Sequence, residues 1–361
     1  MNAPRHRTRT PYRRRGLGRG VSLVELMVAM GLGLFLVGVM GLIFLGSKGT
    51  FQSQNHVSRL QESARFTVDT LATDLRMSGF RGCRGTGVAT PVLNVLNTPT
   101  DFLYNFGQGV WASRHTGSAW SPALDAAIRT PRLVPEPHSA GDVLTVRRTT
   151  GPGWSLTAEM ASPTAALNVT PTGLITARDL LLVSDCAGAA VFQATNNSPG
   201  TDGAIEHSAS VTATPGLSAN SLGRVFLQDA MVHRLTTVTY YLAASARTGK
   251  TGLRALWSYT TPVYDGTPQP QELVTGVEGL RVTLGLDSNG DGAADAHVRP
   301  ADVTDWGQVM TAQVELLLAS TEDNISSAPQ PYTFDGRAVT PTDRRLRTVV
   351  STTVQVRNAL R

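Results

Sequence analysis

Cysteine is scarce in this chain, which holds only Cys83 and Cys186 in its 361 residues. Zinc and redox sites bring cysteines together at short spacings, usually as Cys-x-x-Cys or with histidines nearby. The sequence contains no such cluster, and its seven histidines are scattered. The spacing therefore argues against a structural zinc site and against a thioredoxin-like redox centre.

Sequence patterns of catalysis are absent as well. There is no His-Glu-x-x-His, no Gly-x-Ser-x-Gly and no phosphate-binding P-loop. These patterns matter because each one sets a nucleophile, a metal or a phosphate in a required geometry. Gly16-Leu17-Gly18 does not follow a strand, so it is not a nucleotide-binding loop. We predict that the protein is not an enzyme and needs no cofactor, with calcium, discussed below, as the one candidate.

Charged and aromatic residues are few, at 16% and 6% of the chain, whereas glycine (35) and proline (20) are plentiful. This composition is typical of an exported, loop-rich β or α+β protein. The formal charge of +5 is uneven, because the first twenty residues carry seven arginines and no acid. The remaining chain has 25 basic and 27 acidic residues. A nucleic-acid-binding surface is therefore not expected.

A long apolar run, Val21 to Leu45, follows the arginine-rich leader and contains one carboxylate, Glu25. Twenty-five residues of helix are enough to cross a bilayer with some tilt. The preceding arginines predict a cytoplasmic N-terminus. Glu25 opposes insertion by roughly 2.5–3.5 kcal/mol, which the many apolar residues outweigh, so its presence calls for a functional reason.

The residues around Glu25 supply that reason. Gly20 followed by Val-Ser-Leu-Val-Glu-Leu resembles the class III signal of type IV pilins and type II secretion pseudopilins. The resemblance implies that a prepilin peptidase cuts between Gly20 and Val21 and methylates the new amine. It also implies that Glu25 meets the N-terminal amine of a neighbouring subunit during assembly. The family usually has Phe at the first mature position, where this chain has Val21. An ordinary signal anchor remains the plainer alternative.

Beyond the apolar run, Gln52 to Arg76 has no glycine or proline and carries an apolar stripe at spacings of three and four. The stripe consists of Val57, Leu60, Ala64, Val68, Leu71 and Leu75, and Arg59, Glu62, Asp69 and Asp74 fall mostly off it. Gly79 is expected to end the helix. A continuous helix over residues 21–78 would be about 87 Å long.

Strands are predicted after the helix, with no alternating helices between them. An alternating apolar pattern predicts a strand at residues 141–147, and the other predicted strands lie at 180–186, 233–243, 253–259, 279–286, 309–319 and 346–357. This order predicts an α+β protein with an antiparallel sheet. The expected divisions are a leader (1–20), a transmembrane half-helix (21–45), an amphipathic half-helix (46–78) and a β-rich head (79–361). Residues 85–140 show no usable pattern.

Several segments narrow the resemblance to PilW-like minor pilins. They are residues 59–66, 74–83, 141–144, 184–186, 238–241, 346–347 and 352–358. The resemblance implies a single-pass protein of the bacterial inner membrane with a periplasmic head, reaching the pilus or cell surface after assembly. Implied partners are other minor and major pilins, the prepilin peptidase and the inner-membrane assembly platform. The implied role is priming of type IV pilus assembly, which supports twitching motility, or incorporation at the tip.

Two other functions stay open. The first is a minor pseudopilin of type II secretion. The second is a membrane-anchored binding or hydrolytic protein that never polymerises, cleaved elsewhere, for example near Gly46-Ser47. In an oxidising periplasm Cys83 and Cys186 are expected to pair, which could contribute roughly 4–5 kcal/mol by closing a long loop. Two buried free thiols are the alternative.

One segment has the spacing of metal ligands. Oxygen-bearing side chains at positions 1, 3, 5 and 9 of a loop, with glycine at position 6, match a calcium loop. The residues are Asp287, Asn289, Asp291 and Asp295, with Gly292 at the sixth position. The twelfth position is Val298, where an EF-hand has a bidentate Glu. Because Asn-Gly and Asp-Gly are also strong turn signals, a plain hairpin turn is the alternative.

Overall fold

A computed structural model describes residues 20–80, 82, 92–129, 132–210, 214–262 and 269–356. The chain separates into two compact units, with the division between Gln54 and Asn55. The first unit contains the early part of one long helix. The second unit contains the rest of that helix and all the strands.

The long helix, α1, runs from Leu23 to Met77. Ser22 caps its start, because the Glu25 amide donates to Ser22 Oγ at 3.2 Å. Gly79 follows its last turn, with a φ of +64° in the left-handed region that glycine adopts without strain. The predicted helix over residues 21–78 and its glycine stop are therefore confirmed to within two residues.

All seven predicted strands are present, and ten others, most of them short, accompany them. The strands are β1 (Val92–Asn94), β2 (Val110–His115), β3 (Trp120–Ser121), β4 (Val143–Ser155), β5 (Leu167–Asn168), β6 (Leu180–Ser184), β7 (Ala189–Gln193), β8 (Ala204–Ile205), β9 (Met231–Ala244), β10 (Arg254–Thr261), β11 (Gln271–Thr275), β12 (Val277–Leu286), β13 (Ala296–Val298), β14 (Val309–Ala319), β15 (Tyr332–Phe334), β16 (Arg337–Val339) and β17 (Arg347–Gln355). One short helix, α2 (Pro199–Asp202), and three 3₁₀ turns, at Ala126–Ile128, Pro300–Asp302 and Trp306–Gln308, lie between strands.

The strands form two main sheets. Sheet A has nine strands, ordered β1-β7-β6-β9-β4-β2-β3, and β10 continues from β9 to β11. Sheet B has four, ordered β13-β12-β14-β17. The pairs β5–β8 and β15–β16 form separate ribbons. The α+β class is confirmed. We expected one sheet, and the described residues form two main sheets. Their strand pairings are antiparallel except β1–β7, which is parallel.

The second part of α1 packs its predicted stripe against the strands. Leu71 and Leu75 are fully buried, and Leu60 and Ala64 nearly so. They share one core with apolar residues of β12 and β14 in sheet B and of β2, β4, β9 and β10 in sheet A. Burial of a Leu side chain contributes about 1.5–3 kcal/mol, so this stripe fixes the helix to the sheets.

Asp74 differs from its expected place off the stripe, because it is buried at 6% exposure. Its carboxylate accepts a hydrogen bond from Tyr240 Oη at 2.6 Å and pairs with Arg148 Nε at 2.8 Å. A buried carboxylate needs such partners to offset its lost hydration. Both partners lie on strands of sheet A, so this polar cluster is a second attachment between α1 and the sheets.

A buried carboxylate also joins the two sheets. Asp142 precedes β4, and its amide donates to Leu280 O of β12 at 2.8 Å. Its carboxylate accepts from the Val282 amide at 2.8 Å, from Arg114 Nη2 at 2.7 Å and from Arg281 Nη1 at 3.1 Å. Sheets A and B are thus held together at this point by hydrogen bonds between charged groups, which are stronger than neutral ones.

Candidate functional site

The first unit presents an apolar helix surface. Large side chains from Val21 to Phe51 are exposed, for example Leu34 (74%) and Phe35 (67%). This helix is long and apolar enough to cross a membrane. Its most apolar stretch has no buried residue within the structure. In water such a patch would be a strong driver of association, and it marks a membrane or protein contact.

Glu25 is the one charged residue between Gly20 and Ser47. Its side chain is exposed, and no residue in the described part of the chain bonds to its carboxylate. The backbone amide of Glu25 is already satisfied by Ser22. The carboxylate is therefore available to a group outside this chain.

The Ser22 cap was not part of the sequence interpretation, although the sequence carries its signal. Ser-x-x-Glu before an apolar run is the capping-box pattern, in which the Ser oxygen satisfies the amide of the third helical residue. Ser22 and Glu25 have this spacing. The carboxylate thus lies in the first turn of α1, where the helix dipole also favours negative charge.

The proposed processing bond lies just before α1. Gly20 and Val21 are both exposed and precede the first helical residue. Among the described residues other than its chain neighbours, none has an atom within 4 Å of the space that a Cβ at Gly20 would occupy. Residues 1–19 lie outside the described residues. Cleavage between Gly20 and Val21 is compatible with this geometry and stays a prediction.

The expected disulfide involves Cys83, which lies outside the described residues. Cys186 follows β6. Gly82, the neighbour of Cys83, lies against Ser184, which is two residues before Cys186; a Cβ at Gly82 would meet Ser184 Oγ at 2.1 Å. The structure therefore places Gly82 beside Ser184. The disulfide itself stays a prediction.

The residues of the candidate calcium loop do come together. Their side-chain oxygens mostly accept bonds from backbone amides of the same loop. Asp287 accepts from Gly290 and Gly292, Asn289 from Asp291, Asp291 from Ala293, and Asp295 from Ser288 and Asn289. Acceptance from the Ser288 hydroxyl and amide lowers the pKa of Asp295. This is the hydrogen bonding of a tight acidic turn.

A cation in this loop would have to compete with those backbone amides for the same carboxylate oxygens. Asn289 Nδ2 donates to Asp291 and Asp295 at 3.2 and 3.1 Å, so an N–H group lies between carboxylates where a metal would be bound. No group of three or more His, Cys, Asp or Glu suited to a metal occurs in the part of the chain that the structure describes. The hydrogen bonds favour the plain turn over the calcium loop, and a calcium titration tests which of the two is right.

Comparison with known proteins adds a family match at the C-terminal end. Residues 239–358 match the family model PilW, described as type IV pilus-assembly protein W. Among solved structures, the type IV-like pilin TTHA1219 from Thermus thermophilus is similar, with 13% identity and a TM-score of 0.35. That likeness covers 84% of this chain and 99% of the other. No curated protein matches the chain.

Proposed function

We propose that this chain is a minor pilin, starting from the match of residues 239–358 to the type IV pilus-assembly protein W family, which bears out the PilW-like resemblance in that part of the chain. It would insert in the bacterial inner membrane through α1 and then join a type IV pilus by the same helix. The observation that carries the proposal is the exposed apolar stretch of α1 up to Ser47, in which Glu25 is the single charge.

Glu25 gives the helix a reason to leave the lipid. Lipid tails are as apolar as leucine side chains, so moving the helix from membrane to filament gains little hydrophobic energy. A carboxylate behaves differently, because in lipid it is unfavourable and beside an amine it is satisfied. Pairing of Glu25 with the N-terminal amine of a neighbouring subunit, freed at Val21, would therefore favour the assembled state.

Glycines on α1 support close packing with neighbouring helices. Gly31, Gly33, Gly38 and Gly41 each have open space where a Cβ would stand. Small residues let helix backbones approach, and Ala29 with Gly33 has the small-xxx-small spacing. A partner helix could thus lie directly on this part of α1, with van der Waals contact replacing lipid.

The finer assignments form part of the same proposal. The leader would remain cytoplasmic until the prepilin peptidase removes it, and the β-rich second unit would face the periplasm and later the cell surface. Partners would be other minor pilins, the major pilin and the inner-membrane platform. The role would be to prime assembly or to occupy the tip, as the PilW resemblance implies. A Cys83–Cys186 disulfide suits that compartment.

Assembly of Glu25→Gln tests the proposal, with Glu62→Gln as the matched control. Glu62 is an exposed acid on the amphipathic half of the same helix. Removing one partner of a buried ion pair costs about 3–5 kcal/mol, so the Glu25 variant should fall at least about tenfold in sheared filaments while staying in the membrane. Glu62→Gln should assemble normally. Equal incorporation of both variants would contradict the proposed role of Glu25.

The alternative within the same superfamily is a pseudopilin of type II secretion, since the N-terminal signal is common to both. Deletion separates the two. Loss of surface pili and twitching, with enzyme secretion intact, supports the minor pilin. The reverse result supports the pseudopilin. If the deletion strain keeps both its surface pili and its enzyme secretion, the result favours the anchored, non-polymerising protein.

A further inference from the structure

Three loop segments of the second unit meet at one buried histidine, His207. Its side chain is only 3% exposed, although its chain neighbours Glu206 and Ser208 are exposed. The ring nitrogen Nδ1 lies 2.8 Å from the Asn220 carbonyl oxygen, and Nε2 lies 2.8 Å from the Ala165 carbonyl oxygen. The ring therefore bridges one segment 42 residues before it and another 13 residues after it.

The two carbonyl groups determine what the ring of His207 must carry. A carbonyl oxygen can only accept a hydrogen bond, so each contact is a hydrogen bond only if the ring nitrogen carries a proton. A neutral imidazole has one N–H group, and an imidazolium has two. The neutral ring would leave a nitrogen lone pair against a carbonyl oxygen at 2.8 Å, in either tautomer. His207 thus satisfies both carbonyls only as the cation.

The charged groups on the segments around the ring do not bond to it. Phe192 of β7 packs edge-on against the ring, with centroids 5.6 Å apart, and β7 has no charged residue. Glu206 and Glu159 are exposed, and neither contacts the ring within the described part of the chain. Arg224 is paired with Asp185 at 3.1 Å. The two carbonyl dipoles are therefore the groups that favour a charge on this ring.

Two other partly buried histidines have the opposite environment. Burial lowers the pKa of His233, and its ring makes no hydrogen bond to another described residue. Burial and the nearby Arg254 lower the pKa of His138. Both environments favour the neutral ring. Among the histidines that the structure describes, His207 is the one with a carbonyl acceptor at each ring nitrogen.

Few other hydrogen bonds join the segments that His207 bridges. The Leu222 amide donates to Pro163 O at 2.9 Å, and the Ala209 amide donates to the side chain of Asn220. Residues 161–166 and 218–221 are all exposed or half-buried. Segments with little buried surface open locally at low cost. The loss of one hydrogen bond between them should therefore be measurable as local opening.

We propose that His207 is a proton-operated clamp on residues 161–166 and 218–221. The imidazolium binds both carbonyls and holds the two segments closed, whereas the neutral ring releases one of them. Histidine changes its charge between about pH 5 and pH 8, so the segments are closed at the acid end of this range and looser at the alkaline end. Losing one hydrogen bond shifts a local opening equilibrium by at least about fivefold. This inference does not depend on the proposed function.

NMR of the full chain in detergent, with ¹⁵N-labelled histidine, tests the charge state directly. The ring signals of His207 are identified as those that disappear in His207→Gln. At about pH 5.5 both of its ring nitrogens should carry protons, and at about pH 8 only one should. A ring with a single protonated nitrogen at about pH 5.5 would overturn the proposal.

Hydrogen exchange, corrected for the intrinsic effect of pH, measures the clamp itself. The amides of Leu222 and Ala209 report closure because they donate between the same segments. Their corrected exchange should rise at least about fivefold from about pH 5.5 to about pH 8. Glutamine carries both its donors on one nitrogen and so serves one carbonyl, which means that His207→Gln should exchange fast at both pH values. His233→Gln, the matched control, should keep the wild-type pH step.

The remaining outcomes are equally decisive. Equal exchange of the wild type at both pH values contradicts the clamp, and so does a pH step that survives in His207→Gln. Should that variant fail to fold, the wild-type chain still decides, because the step must be confined to the bridged segments. The same step in β4 and β9 of sheet A would show a general loosening and overturn the proposal.

Discussion

Asp142 is predicted to be the polar residue on which the junction of the two sheets depends most. It is fully buried, and its carboxylate accepts hydrogen bonds from Arg114, Arg281 and the Val282 amide. Asp142→Asn keeps the size of the side chain but removes its charge. The amide nitrogen of Asn also turns a donor toward arginine donors.

The expected loss in the free energy of unfolding comes from the arginines, which stay buried without the carboxylate that pairs with them. Removing one member of a buried charge pair costs about 3–5 kcal/mol. Asp335 lies 3.5 Å from Arg114 and 3.2 Å from Arg281, so it retains part of the attraction. The loss should therefore lie near the lower limit, about 3 kcal/mol. For a large domain this lowers Tm by roughly 6–12 °C.

Denaturant unfolding of the full chain in detergent, followed by tryptophan fluorescence, measures this free energy. Asp335→Asn is the control, because its carboxylate belongs to the same network but is 28% exposed. It should cost less than about 1 kcal/mol, as exposed ion pairs do. A loss below about 1 kcal/mol for Asp142→Asn, or equal losses for both variants, would refute the reasoning.

Three other predictions follow from single contacts. Leu71→Ala, at a fully buried position of α1, should cost about 2–5 kcal/mol in denaturant unfolding, whereas Phe66→Ala, 52% exposed on the same helix, should cost much less. Hydrogen bonds from Arg347 lower the pKa of Asp343 to about 2, so this contribution is complete above the ordinary Asp pKa and is lost as pH falls toward 2. Asp343→Asn should flatten the stability profile there by up to about 1 kcal/mol, and an unchanged profile would count against the pair. Millimolar calcium should leave Tm unchanged, because loop amides already occupy the carboxylates of Asp287 and Asp295; an upward shift abolished by Asp287→Asn would establish the calcium site.

The helix and the long strands could be predicted because their signals are local. The apolar stripe of α1, the glycine stop at Gly79 and the alternation in β12 and β14 each follow from a few neighbouring residues. β7 was not predicted, since all five of its residues are buried and so give no alternation, and it lacks the Leu-Leu-Leu-Val run that marks the equally buried β6. β2 has the same difficulty, with five of its six residues buried, and it lies in a stretch with no other pattern.

Long-range polar contacts could not be predicted. Asp74 is an acid on a helix and looks exposed by its spacing, yet it bonds to Tyr240, 166 residues away. Asp142 likewise gives no local sign that it bonds to Arg281, 139 residues later. The division into two sheets depends on such contacts. Glu25 could be singled out from the sequence for the opposite reason, because a charge in an apolar run is conspicuous by itself.

The central claim is that processing before Val21 leaves Glu25 in the first turn of an apolar helix, where another subunit can satisfy it. Mass spectrometry of the N-terminal peptide of the membrane-extracted protein tests this most directly. The expected result is an N-methylated Val21 at the N-terminus. A working protein that keeps its arginine leader, or begins elsewhere in the chain, would contradict it.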